Sequence, residues 1–200
     1  MWILATLRLM PRLDPLGFVP VLAFLAVWAI GTEREAHLFG QALDPVVLAI
    51  VVRAWLQLAY NAQRRWRLLF SDVALTTAVP VLVAGFAAAA VALWVNSATV
   101  VQIAWSVYLM ALGVTMVAYV LFAPGDLYMM PTPFARNDRH LEGAHLIIGA
   151  ALILQSLCAA AMARWGSDAG WVLFVSLGHV ALHLLTNWIV ILWMMTCDES

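Results

Sequence analysis

Lysine is missing from this chain of 200 residues, and all ten basic residues are arginine. A Schiff-base mechanism or a retinal-lysine pigment is thereby excluded, because both need an ε-amine. Charge of either sign is scarce. Only 10% of the residues are Asp, Glu, Lys or Arg, against about 25% in ordinary soluble domains. The net charge of −1 gives no electrostatic case for nucleic acid as a partner. Cysteine is scarce too. Cys158 lies in an apolar run and Cys197 near the C-terminus, with no CxxC, so neither a disulfide framework nor a zinc or thiol-redox motif is indicated. No P-loop, dinucleotide fingerprint or set of desaturase-type histidine boxes occurs. No small-x-small cleavage pattern follows the first apolar stretch, which is expected to be retained as a span.

What the chain has in quantity is apolar residue: 65% of its composition, with a mean hydropathy of +0.94. Fifty-three consecutive residues, Val73 to Gly125, carry no formal charge. A hydrocarbon core is crossed by about 20 apolar residues, so this run is long enough for two crossings. It breaks near its middle at Asn96-Ser97, a small polar turn. Charged residues divide the remainder, giving six apolar segments at about 15–32, 45–63, 73–95, 98–123, 143–163 and 170–196. Lipid cannot satisfy a free backbone amide, and no alternating barrel pattern appears, so the segments are expected to be helices. The expected fold is an all-α integral membrane bundle of six transmembrane helices in a single domain.

Local signals fit this division. Asp44-Pro45 is a cap followed by a first-turn proline, and Ser71-Asp72 is a second capping pair. Gly143 and Gly166-Ser167 punctuate the fifth segment, and Pro20 and Pro80 are expected to kink their helices. The small-residue run Ala87–Ala90 would permit close helix packing. With the N-terminus inside, the inner segments hold Arg8, Arg12, Arg64, Arg65, Arg67, Arg136 and Arg139, and the outer loops only Arg34 and Arg164. Seven against two is a positive-inside bias that puts both termini in the cytoplasm, in a membrane of the bacterial inner type. Trp28, Trp94, Trp165 and Trp171 fall at outer span ends, and Trp66 and Trp193 near inner ones, as an aromatic belt requires. Trp2 to Met10 either lies flat on the inner leaflet as an amphipathic helix or extends the first span. In the longest connection, Pro124 to Glu142, Met129, Met130 and Phe134 either dock a partner or rest on headgroups.

Polar atoms inside the apolar segments are the candidate site. Arg53 sits near the middle of the second segment and cannot lose its proton. A central Arg costs about 2.5–3.5 kcal/mol on insertion scales and faces protein or water. Gln57 and Asn61 follow at four-residue steps and share its face. This stripe either contacts an anion or substrate carboxylate, or is satisfied within the protein; Glu142, Asp72 and Asp44 are candidate counter-charges. The sixth segment carries Ser176, His179, His183 and Asn187 at spacings of three, four and four, which line one face of an α-helix. Imidazoles at i and i+4 could share a metal, pass a proton, bind a haem iron axially, or simply hydrogen-bond to neighbouring helices. For haem b the donor from another helix would be His145, but its depth differs from that of His183 by about ten residues of rise, about 15 Å. His37, at an outer boundary, is likewise mismatched with His179. Weaker polar positions (Asp72 and Thr76, Gln102 and Ser106, Gln155 and Ser156) fit a shared interior.

His179-x3-His183-x3-Asn187 resembles the His/Asn helix of rhomboid proteases, but the Gly-x-Ser nucleophile motif of that family is absent here. Gly143-Ala-His145-Leu-Ile-Ile-Gly149 resembles a helix of haem-copper oxidase subunit III over about a dozen residues, in a chain too short for that family's helix count. Neither resemblance defines an activity. The expectation is a non-enzymatic subunit held in the bilayer among other membrane subunits, with a respiratory or photosynthetic complex as the candidate assembly. A small channel or secondary transporter, or a b-type haem electron carrier, are the alternatives.

Overall fold

The computed structural model describes residues 15–38, 40–69, 72–122 and 138–197, and their side chains except at 38, 61–69, 72–82, 138, 139 and 197. The expectations for Trp2–Met10, for the 124–137 connection and for the side chains of Asn61, Asp72, Thr76 and Pro80 lie outside the described residues. Each of the six apolar segments is helical. A short 3-10 turn, Pro15–Phe18, leads into α1 (Val19–Glu33); α2 is Pro45–Leu69, α3 Asp72–Val95, α4 Ala98–Phe122 and α5 Asp138–Trp165. The last helix, α6, runs as an α-helical turn Asp168–Leu173, a π-helical stretch Phe174–Gly178 and a final α-helix His179–Cys197. Four helical stretches are long and apolar enough to cross a membrane: Pro15–Glu33, Ala98–Phe122, His140–Trp165 and Asp168–Thr196. In α2 and α3 the described apolar stretches are shorter, Pro45–Tyr60 and Val83–Val95.

Two compact units emerge from the packing. The first holds residues 15–102 and 168–176, and the second residues 103–167 and 177–197. In the first, α1 packs along α2 and α2 along α3. Phe24, Val46, Val47 and Ala49 are buried there, together with Trp171, Val172 and Val175 from the start of α6. Trp171, expected in the interfacial belt, is wholly buried and belongs to the core; Trp94 and Trp165, at the ends of α3 and α5, are 87% and 82% exposed. Of the run Ala87–Ala90 only Ala89 is buried.

A cap explains where α2 begins, and a left-handed turn where α4 does. The Asp44 carboxylate accepts the Val46 N–H at 2.8 Å and Pro45 supplies a preset first turn. Between α1 and α2 the chain makes a two-residue antiparallel ladder, His37 opposite Ala42 and Leu38 opposite Gln41. Asn96, at φ 45° in the left-handed region, turns α3 into α4. Its side chain ties that turn to the ladder: Oδ1 accepts the Asp44 N–H and Nδ2 donates to the Ala42 carbonyl, both at 2.8 Å.

The second unit is built on close helix contact. A Cβ on Gly113 would sit 2.7 Å from the Gly149 carbonyl oxygen, and one on Gly149 would sit 3.0 Å from the Gly113 carbonyl oxygen. The backbones of α4 and α5 therefore meet with nothing between them, as small residues permit in membranes. Ala144 of α5 forms a core with Val190 and Met194 of α6, flanked by Ile147, Ile148 and Trp193.

Candidate functional site

Arg53 projects from α2 into the first unit and is only 6% exposed. Its Nη1 donates to the Val175 carbonyl at 2.9 Å, and its guanidinium carbon lies 5.4 Å from the centre of the Phe24 ring. The acceptor is available for a local reason. Val175 lies inside the π-helical stretch, where the wider turn disrupts the regular i to i+4 ladder. Ser176, wholly buried, helps hold that turn by donating to the Val172 carbonyl at 2.6 Å and to the Leu173 carbonyl at 3.2 Å. The Asp44 carboxylate, one of the expected counter-charges, is occupied in capping α2. Gln57 follows Arg53 on the same helix and is half-buried. In the same unit, Gln102 of α4 donates to the Asp168 carboxylate at the start of α6 at 2.8 Å.

The second unit holds a longer polar series. Gln155, buried on α5, hydrogen-bonds to His179 Nδ1 on α6. The His179 and His183 rings lie nearly parallel, 10° apart, with centres separated by 6.5 Å. The Asn187 side chain meets His183 Nε2 at 3.2 Å. Gln155, His179, His183 and Asn187 thus form one ladder, of which His183 is exposed and Asn187 half-buried. Ser176 was expected on the same stripe. Its hydroxyl is spent on its own helix, and the intervening π turn breaks the α-helical arithmetic that aligned it with His179. Ser156 donates to the Ser106 carbonyl at 2.7 Å, joining α5 to α4.

His145, 1% exposed, donates from Nδ1 to the Leu141 carbonyl at 2.7 Å, which leaves Nε2 as its other ring nitrogen. That nitrogen is buried and has no hydrogen-bond partner among the described residues. His140 is equally buried, a position the sequence reading did not single out because it lies beside the charged connection. Among the described residues no group of three or more His, Cys, Asp and Glu side chains could hold a metal ion. The sequence gives no signal for the π turn, and hence none for Val175 as the acceptor or Phe24 as the ring beneath Arg53.

Comparison with protein-family models, with curated proteins and with solved structures finds no match to this chain.

Proposed function

We propose that the chain is a non-enzymatic membrane subunit that crosses a bacterial inner membrane six times, keeps both termini in the cytoplasm and packs within a larger membrane complex. The four long apolar stretches are joined in this reading by α2 and α3, whose 25 and 24 residues give about 37 Å and 36 Å of helix. That exceeds a hydrocarbon core of about 30 Å. The orientation rests on the arginine bias described above.

The observation that carries the structural role is the environment of Arg53. The most expensive side chain in the spans is closed against a backbone carbonyl and an aromatic ring of its own protein. Gln102, Ser156 and Gln155 are likewise bonded between helices. Polar groups used this way hold a bundle together, as interhelical hydrogen bonds do in membranes. Native electrophoresis in mild detergent tests the assignment to a complex. The chain should migrate with other subunits well above its own 22.0 kDa; migration alone, with only its detergent belt, would refute it.

One observation favours a second reading, a small channel or secondary transporter: His183 is exposed halfway along a membrane-length helix and its ring lies parallel to that of His179, which is hydrogen-bonded to Gln155. In liposomes, proton or solute flux that falls in both His179→Leu and His183→Leu would support it. Flux unchanged in both would remove it.

A further inference from the structure

We propose that α6 is the contact through which two copies of this chain associate, with Asn187 and His183 of each copy facing their counterparts at mid-membrane. The inference rests on the reading of the chain as a membrane subunit and names one neighbour within the complex.

Depth makes the first argument. In the apolar stretch Asp168–Thr196, His183 lies fifteen residues from one end and thirteen from the other. An exposed imidazole at that depth would face acyl chains, where polar groups are rare and instead face protein or water. The second argument is spacing. Val180, His183, Leu184 and Asn187 recur at i, i+3, i+4 and i+7, the pattern of a helix-packing face, with His183 exposed and the other three half-buried. Leu185 and Ile189, exposed on the other side of the helix, carry no polar group and suit lipid.

Hydrogen-bonding capacity identifies the occupant. Their mutual bond is the hydrogen bond that His183 and Asn187 make among the described residues. In a neutral imidazole one nitrogen donates and the other accepts. Whichever way the Asn187 amide is turned, the pair keeps both an unspent donor and an unspent acceptor. A side chain with both is complementary to itself. A two-fold axis along the membrane normal places equal-depth side chains of two copies opposite one another, and such an interface must be self-complementary. The face carries no formal charge, so symmetry brings no like-charge repulsion. A buried Asn in such a seam also fixes register, as it does in coiled coils.

The test is cysteine cross-linking in native membranes, in a Cys158→Ala, Cys197→Ala background. Leu184→Cys should give an oxidised homodimer and Leu185→Cys, on the lipid side, should not. Asn187→Leu should weaken association of two copies by about tenfold, the loss of about two interhelical hydrogen bonds, with helicity unchanged by circular dichroism. Native mass spectrometry of the unsubstituted chain should count two copies and guards against a cysteine variant that fails to insert. One copy in a larger complex, equal cross-linking at both positions, or a Leu184→Cys adduct to a different protein would overturn the dimer and leave the subunit reading standing. A lone monomer would end both.

Discussion

The two units handle polarity inside the membrane in opposite ways. In the first, a permanent charge is buried: Arg53 reaches the Val175 carbonyl and lies over the Phe24 ring. In the second, neutral side chains form a ladder from buried Gln155 to exposed His183. The difference follows from energetics. A guanidinium left facing hydrocarbon costs several kcal/mol, so it is enclosed wherever a spare carbonyl exists. A neutral imidazole or amide costs much less, so it can be left on a surface until a partner arrives.

Reversing the charge at the enclosed site should have the largest effect. Arg53→Glu places a carboxylate beside a carbonyl oxygen with its own burial uncompensated, and should lower stability by about 3–5 kcal/mol, measured by thermal or denaturant unfolding in detergent. Arg53→Met is the sharper comparison. It leaves the Val175 carbonyl unsatisfied, a loss of about 1–3 kcal/mol, but removes an insertion cost of about 2.5–3.5 kcal/mol. The two should nearly cancel, leaving this variant within about 1 kcal/mol of the natural chain. A large loss in Arg53→Met would show that the arginine does more than offset its own insertion.

Glycine substitutions rank next and separate the units by packing. Gly113→Leu must displace the Gly149 backbone, which a first side-chain atom would approach to 2.7 Å. Overpacking of this kind should cost about 1–3 kcal/mol. At Gly85 in the first unit, the nearest atom to an added Cβ is the flexible end of Leu58 at 2.9 Å. Gly85→Ala should therefore cost less than Gly113→Leu in the same unfolding assay. Asn96→Ala removes both bonds that tie the α3–α4 turn to Asp44 and Ala42, and should cost about 1–2 kcal/mol. Asn96→Gly should recover part of that loss by accepting φ 45°. The smallest effect should come from the exposed end of the ladder. His183→Leu should change the stability of the isolated chain by less than about 0.5 kcal/mol, since its bond to Asn187 is exposed.

The helices were legible because lipid leaves few alternatives: charge spacing, together with the polar break at Asn96-Ser97 inside the uncharged run, marked all six segments, and Asp44-Pro45 marked the start of one. The site was legible only as one-dimensional stripes. Periodicity put His179, His183 and Asn187 on one face, and the 3.2 Å contact between the last two follows from their i, i+4 spacing. The same arithmetic failed for Ser176, because it lies inside the π-helical stretch Phe174–Gly178 and no residue type encodes that turn. Trp171 was misread for a related reason. Position along a span says how deep a ring lies, whereas burial depends on which way the helix is turned. Arg53 is legible as needing a carboxylate and carbonyls across a helix interface, but which carbonyl is not. The Val175 acceptor is a backbone atom 122 positions away in sequence, and every residue has one.

The enclosure of Arg53 is the claim on which the rest depends. Solid-state NMR in lipid bilayers measures it directly, by dipolar dephasing between arginine guanidinium nitrogen-15 and the carbonyl carbon-13 of Val175. That carbon can be singled out because Val175-Ser176 is the sole Val-Ser pair in the sequence. Dephasing corresponding to hydrogen-bond contact, with the Nη1-to-oxygen distance near 2.9 Å, is the expected result. No dephasing, together with contacts from the guanidinium to lipid acyl protons, would contradict it.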